Sequence, residues 1–420
     1  MTLLVRGGRV LDPSQGLDAQ ADVLVDAGKV ARIEARIADL PADTEVLEAA
    51  GLVVAPGLVD LHVHFRQPGQ EWKETVATGS RAAAAGGFTT VVCEPNTTPP
   101  VDTPEMLEGL IRLAARDGLV RVLFKACITE RQRGERVVKM DGLKLAGAAA
   151  FSDDGEPVLD AAVMARALDE ARQQGMALTP HCEESPASRA AAPWPQPYAR
   201  EPEFVSRDVA LVARHGGRIH FSHLSMADST HFIAEAKRNG HAVTAEATPH
   251  HLALSADDVT PGDTNAKVNP PLRSPADVEA LRRALAQGRI DAIATDHAPH
   301  APEEKAVPYD QAPFGAVGLE TALGVVITEL VDKGVISLAQ AIERMSTGPA
   351  RILGLEGGTL APGSRADIVI FDPAHAWTVE PRQFLSKGRN SPFAGRTLRG
   401  RAVFTIVGGS VVMREGKVEG

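Results

Sequence analysis

Six positions in this chain carry side chains of the kind that hold metal ions: His62, His64, Asp154, His181, His223 and Asp296. His62-Val63-His64 follows a β-prone run, Leu58 to Leu61. Residues two apart in a strand share a face, so both imidazoles can meet one ion. Taken alone, the pair is explained equally well by packing. The pattern gains weight because it recurs. Phe151-Ser152-Asp153-Asp154-Gly155, His181, His223 and Asp296-His297 each stand where another β-prone run stops. Spacing does not choose between Asp153 and Asp154. Four imidazoles and two carboxylates exceed what one tetrahedral ion with an open position needs. They suit two adjacent divalent ions, with zinc the first candidate and manganese, cobalt or iron also compatible.

Such a cluster needs elements that bring distant strand ends together. Eight runs supply them: Leu58 to Leu61, Phe88 to Val92, Val120 to Cys127, Ala148 to Phe151, Ala177 to Pro180, Ile219 to Ser222, Ala242 to Ala245 and Ile290 to Ala294. Helical stretches lie between them: Trp72 to Ala85, Met106 to Asp117, Leu159 to Gln174, Val205 to His215, Thr230 to Asn239 and Ala276 to Gln287. This alternation predicts an α/β fold, a (β/α)8 TIM barrel over residues 56–356, with the metal site at the C-terminal ends of its strands. A doubly wound sheet is the competing architecture, but no GxGxxG opens a helix to support it. Residues 1–55 and 357–420 read as short strands and turns. They predict one small composite β-sandwich domain built from both termini. Gly7-Gly8 and Gly28-Lys29 read as turns, and Gly408-Gly409 as a hairpin. Ala190 to Pro197 reads as an exposed loop, and Ala301 to Gly318 as a loop over the site.

Composition narrows the classes. The charge is 44 − 54 = −10, which argues against a nucleic-acid surface. No apolar run approaches the roughly 20 residues needed to cross a bilayer. Met1 to Pro13 reads as a strand with arginines rather than a signal peptide. The three cysteines, Cys93, Cys127 and Cys182, suit a reducing cytoplasm and exclude a disulfide scaffold.

Longer strings add a resemblance. His62-Val63-His64-Phe65-Arg66, after Pro56-Gly57-Leu58-Val59-Asp60, resembles the first-strand motif of the amidohydrolase superfamily. Asn269-Pro270-Pro271-Leu272-Arg273 and Ala294-Thr295-Asp296-His297-Ala298-Pro299-His300 are similar to strings of the dihydroorotase family, as is Glu94-Pro95-Asn96-Thr97. The resemblance covers nearly the whole chain. It implies that His62, His64 and Asp296 hold one zinc, that His181 and His223 hold a second, and that Asp154 bridges them. Many members of the superfamily bridge with a carbamylated lysine. Here Lys144 precedes the fourth run and no lysine ends it, so the chain resembles the branch that uses aspartate. The implied reaction is the reversible cyclisation of N-carbamoyl-L-aspartate to L-dihydroorotate plus water, in pyrimidine biosynthesis, through a metal-bound hydroxide with Asp296 as general acid/base. Arg66, Asn96 and His300 would bind the substrate carboxylate, Arg66 bidentately. His64, Asn269, Phe314 and Gly315 match further substrate contacts. Aspartate carbamoyltransferase is the implied partner, and a homo-oligomer is compatible.

Two other readings compete. A hydantoinase, dihydropyrimidinase or allantoinase would share barrel and metals, but Arg66, Asn96 and His300 point to an acidic substrate. A non-catalytic scaffold for aspartate carbamoyltransferase would have lost ligands, and all six positions are filled. His250 and His251 read as hydrogen-bonding neighbours of the site, and Cys93 and Cys182 as small buried residues. The spacing of His220 from His223 places them on opposite strand faces.

Overall fold

The computed structural model describes residues 2–183 and 200–419. The loop expected at 190–197 lies outside the described residues. Five strands come first: β1 (Thr2–Asp12), β2 (Leu17–Asp26), β3 (Lys29–Glu34), β4 (Glu45–Glu48) and β5 (Val53–Pro56). β1 pairs antiparallel with β2, and β2 with β3, while β4 and β5 pair in parallel with successive parts of β1. Gly7-Gly8 is not the expected turn. β1 runs through it as one strand, with a bulge between Val5 and Gly8. Gly7 adopts a φ of 67° and donates its N–H to Asp22 Oδ1 at 2.8 Å. A Cβ on Gly8 would stand 2.5 Å from Val54 Cγ2, so close approach of β5 requires glycine there.

The barrel follows: β6 (Leu58–Val63), β7 (Phe88–Cys93), β8 (Arg121–Phe124), β9 (Ala177–Leu178), β10 (Arg218–Phe221), β11 (Val243–Ala247) and β12 (Ala292–Ile293). β6, β7 and β8 pair in parallel, as do β9 to β12. The fourth of the eight predicted runs is reduced to bridges from Phe151 to Ala126 and to Leu178. Bonds from Ala126 N–H to Ala150 O and from Thr179 N–H to Phe151 O carry the ladder across it. A bridge from Val63 to His297 closes the ring. Helices Val76–Ala85, Pro104–Asp117, Ala161–Gln173, Glu201–His215, Ala227–Arg238 and Pro275–Ala286 fall close to the predicted spans. Four of them begin at side-chain caps, from Thr75, Thr103, Asp160 and Ser274. The helical stretch from Ala322 to Leu353 was not legible from pattern. Its first turn and a half, Ala322–Val326, is buried all round and therefore shows no amphipathic period.

The remaining strands are β13 (Ile368–Thr378), β14 (Thr397–Val407), β15 (Ser410–Arg414) and β16 (Lys417–Val418). β13 pairs antiparallel with β5, so both ends of the chain join one nine-stranded sheet. Gly408-Gly409 turns the β14–β15 hairpin as predicted. The sheet curls on itself: Lys29 bridges Arg365, and a Cβ on Gly28 would lie 2.9 Å from the Gly408 carbonyl. Strand alternation divides its apolar side chains. Val54, Ile368 and Ile370 join the core within the curl, with Val23, Val25 and Ile406. Val53, Ala55, Val369 and Phe371 join the barrel core, with Leu58, Phe88 and Leu319. Residues 384–394 leave the β unit and return to the barrel mouth, where Glu320 accepts from the Leu385 and Ser386 N–H groups.

Asp60 fixes the closure chemically. Its buried Oδ1 accepts from His62 N–H at 3.1 Å and Thr295 N–H at 3.0 Å, and its Oδ2 accepts from Thr295 Oγ1 at 2.5 Å. Asp60→Ala leaves those buried donors unmatched and is expected to lower unfolding free energy by about 2–4 kcal/mol, read by denaturant titration. A loss below about 0.5 kcal/mol would show that closure does not depend on it.

Candidate metal centre

Six buried side chains meet at the C-terminal mouth of the barrel. His62 and His64 come from the end of β6, Asp154 from just beyond the Phe151 bridge, His181 from just beyond β9, His223 from just beyond β10 and Asp296 from just beyond β12. Asp154 Oδ1 lies 3.3 Å from His62 Nε2, 3.3 Å from His223 Nε2 and 3.4 Å from His181 Nδ1. Asp296 Oδ1 lies 3.1 Å from His64 Nε2 and 3.7 Å from His62 Nε2. Five of the six donors fall into two overlapping sets, His62 with His64 and Asp296, and His62 with Asp154 and His223, while His181 stands outside both. Among the described residues His62 Nε2 has no hydrogen-bond partner, and His181 Nδ1 stands 3.0 Å from His223 Nε2. Lone pairs converging in this way fit divalent ions better than they fit one another.

Local backbone strain helps to aim these groups. His223 and Asp296 adopt φ of 33° and 48°, and Arg66 a φ of 58°. Non-glycine residues are uncommon there, and such conformations cluster at functional sites. The twist at His223 also corrects the expectation for His220. β10 ends at Phe221, alternation ceases, and both rings point into the barrel.

Asp153 and Asp154 separate cleanly. Asp153 Oδ1 accepts from the Ile128 N–H at 2.8 Å and the Thr129 N–H at 3.2 Å, so it ties down the chain beyond β8. Burial pushes Asp153 up to about 6, against the pull of those bonds. Burial also opposes ionisation of Asp154, but the charge of His62 and hydrogen bonds from His181 and His223 hold it well below the usual carboxylate range. Asp296 is likewise lowered: burial is outweighed by the His64 hydrogen bond and the charge of His62.

Sequence reasoning missed the groups behind the cluster. His62 Nδ1 is 3.1 Å from Glu246 Oε1 and 3.4 Å from Glu94 Oε1. Glu246 Oε2 accepts from His220 Nε2 at 2.9 Å, and Glu94 is ion-paired with the buried Lys125. A carboxylate on Nδ1–H fixes the tautomer and turns Nε2 to the centre. The available signal was parity: Glu246 lies two residues beyond Thr244 on β11, where a polar residue faces a barrel interior.

The cluster opens into a cavity of about 450 Å³ lined by Arg66, Lys73, Asn96, Asn269, His300, Phe314 and Gly315, among others. Every proposed substrate contact therefore borders it. Several are already engaged. Asn96 Oδ1 lies 2.9 Å from His64 Nδ1, and its amide donates to Asp154 Oδ2 at 3.1 Å. Asn269 Nδ2 is 3.1 Å from His181 Nε2. Burial, outweighing a contact with Glu304, and the positive charges of Arg66, Lys305 and Lys73 push His300 down to about 3. Its ring is neutral at pH 7, and Nε2–H donates to the Phe314 carbonyl at 2.7 Å. Asn390, on the returning 384–394 segment, completes this wall. Its Oδ1 accepts from His300 N–H, and its Nδ2 donates to the carbonyls of Ala298 and Gly315. No local pattern marks Asn390. His251 bridges Thr248 Oγ1 and the Pro270 carbonyl, and His250 packs beside it. Cys93, Cys127 and Cys182 are buried and unpaired, with thiols pushed up by burial.

The model of the amidohydrolase family matches residues 53–412. A dihydroorotase from Pelotomaculum thermopropionicum is 48% identical over 426 residues, covering 99% of each chain. One from Anaeromyxobacter dehalogenans is 47% identical over 430 residues, with the same coverage. Among solved structures, an L-hydantoinase (dihydropyrimidinase) from Arthrobacter aurescens superposes with a TM-score of 0.90 at 28% identity, covering 100% of this chain and 97% of that one.

Glu246→Ala is expected to weaken divalent-metal binding about 10–100-fold, titrated against a chromophoric chelator. Unchanged affinity would show that His62 needs no carboxylate on Nδ1.

Proposed function

The chain belongs to the amidohydrolase family, among the dihydroorotases, and from that membership we propose that its buried cluster interconverts N-carbamoyl-L-aspartate and L-dihydroorotate plus water, a step of pyrimidine biosynthesis. The observation that carries this reading is one cavity lined both by members of the His/Asp cluster and by the half-buried Arg66. A substrate with one end for metals and a carboxylate at the other fits that polarity.

His62, His64 and Asp296 would hold one ion, His181 and His223 a second, and Asp154 would bridge them. Two zinc ions per subunit suit this donor set. Metal bound there would supply a water of lowered pKa and polarise the ring carbonyl. Asp296 then moves the proton: in ring opening it accepts from the attacking water and passes the proton to the departing ring nitrogen. In ring closure the same carboxylate works in reverse. Arg66 binds the carboxylate that does not react, with a fork geometry that lysine lacks. Asn96 and Asn269 line the ring while orienting His64 and His181. His300 places Phe314 and Gly315, whose backbone faces the ring.

Hydantoinases share the barrel, so fold alone does not choose the substrate. Arg66 in the cavity and the 47–48% identity to dihydroorotases favour an acidic ring. A cytoplasmic location suits the three unpaired buried cysteines. Among the described residues, no helix is long and apolar enough to cross a membrane. Aspartate carbamoyltransferase is the partner this substrate suggests. Co-migration in gel filtration would support association, and separate elution would count against it.

Side-by-side assays of dihydroorotate, dihydrouracil, hydantoin and allantoin test the substrate. Preference for a ring without a carboxylate would overturn the reading. Asp296→Ala is expected to lower dihydroorotate turnover by about 10²–10⁴-fold, and a variant retaining most activity would remove Asp296 from proton transfer.

A further inference from the structure

Two buried lysines stand behind the cavity wall. Lys267 is 1% exposed and Lys305 6%. A buried ammonium ordinarily finds a carboxylate, because an unpaired charge is costly to bury. These two instead spend their protons on backbone carbonyls. Lys305 Nζ donates to Pro313 O at 2.7 Å and Thr264 O at 2.9 Å. Lys267 Nζ donates to Tyr309 O at 2.5 Å and Ala312 O at 2.6 Å, and it lies over the rings of Tyr309 and Phe314 at 4.9 and 4.6 Å. The Gly315 N–H closes the set by donating to the Lys267 carbonyl at 2.8 Å.

The stretch held in this way runs from Tyr309 to Gly315, and its last three residues line the cavity. It lies within the segment that the sequence suggested as a loop over the site. The structure shows a short helix, Pro302–Lys305, followed by a chain whose carbonyl edge is gripped from behind. Its far side meets His300, through the Phe314 carbonyl, and Asn390, through the Gly315 carbonyl. Glycine is required at 315: its φ is 136°, and a Cβ there would be 2.7 Å from the Ala298 carbonyl.

We propose that Lys267 and Lys305 are positioning residues for substrate binding, which hold residues 309–313 by their carbonyls so that Pro313, Phe314 and Gly315 form a fixed wall against the substrate ring. A pre-ordered wall lowers the entropy lost on binding, and it does so without touching the metal donors. The clamp therefore acts on substrate affinity rather than on the chemical step. This role rests on the dihydroorotase reading for its substrate, but not for its effect on the backbone.

Two measurements test it. Lys305→Met and Lys267→Met keep the length of the stem and remove the donors. Each is expected to raise KM for dihydroorotate by about tenfold while kcat stays within about threefold and bound metal is unchanged. Hydrogen exchange of residues 306–315 should quicken in both variants while exchange in β6 and β7 stays as in the wild type. An unchanged KM, or a fall in kcat with loss of metal, would overturn the proposal. If neither variant folds, the wild type decides: without ligand, the Gly315 amide should already be strongly protected, and fast exchange there would sink the clamp. Wild-type protein that shows this protection but does not turn over dihydroorotate would overturn the substrate reading and leave the clamp standing.

Discussion

Burying two carboxylates among four imidazoles is the constraint around which the rest of the molecule is arranged. Removing Asp154 and Asp296 from water is costly, and the cost is met only where opposite partial charges surround them. The barrel mouth provides this because strands distant in sequence end in one ring. Behind the ring, Glu94 and Glu246 take the outer nitrogen of His62, and Lys125 and His220 balance those carboxylates in turn. The polar interior is thus a layered network, and each charge is explained by the one beyond it.

The same logic extends outward to the cavity. The chain carries a net charge of −10, yet the side opposite the metal donors is cationic. Arg66, Lys73 and Lys305 all act on His300. Lys73 is paired with Glu304 at 3.2 Å, and burial pushes Lys305 down to about 7, so Arg66 is the cation that persists at neutral pH. Local placement rather than global balance makes a pocket for an anion. The β unit contributes to this pocket indirectly. Its C-terminal half sends residues 384–394 back to the barrel, where Asn390 joins the loops at 298–300 and 315.

Much of this was legible in the chain. The six helices appeared because burial on one side imposes period and because capping residues mark helix starts, and the eight runs because strands buried on both faces read as short continuous β-prone segments bounded by turn residues. The metal-type residues could be found because a barrel puts its chemistry at strand ends, which are local features of sequence. The metal-centre strings and Arg66 were recognisable for the same reason. Where pattern failed, burial was complete or the contact was remote. Ala322–Val326 has no polar face to set a period, and Asn390 reaches His300 from 90 positions away.

The sequence by itself therefore determined the architecture and the candidate donors, apart from the choice between Asp153 and Asp154, since these rest on residue type and short-range spacing. The acidic character of the proposed substrate came from the family resemblance around Arg66, Asn96 and His300. The tertiary structure alone decided which neighbour does what. It turned Asp153 towards Thr129 and Asp154 towards the imidazoles, although the two are adjacent and chemically identical. It swung His220 and His223 to the same side by ending β10 and giving His223 a positive φ. It joined Glu246 to His62 across 184 positions and Asn390 to His300 across 90. Contacts of that kind depend on where strands close and loops return, and no window of sequence contains both partners.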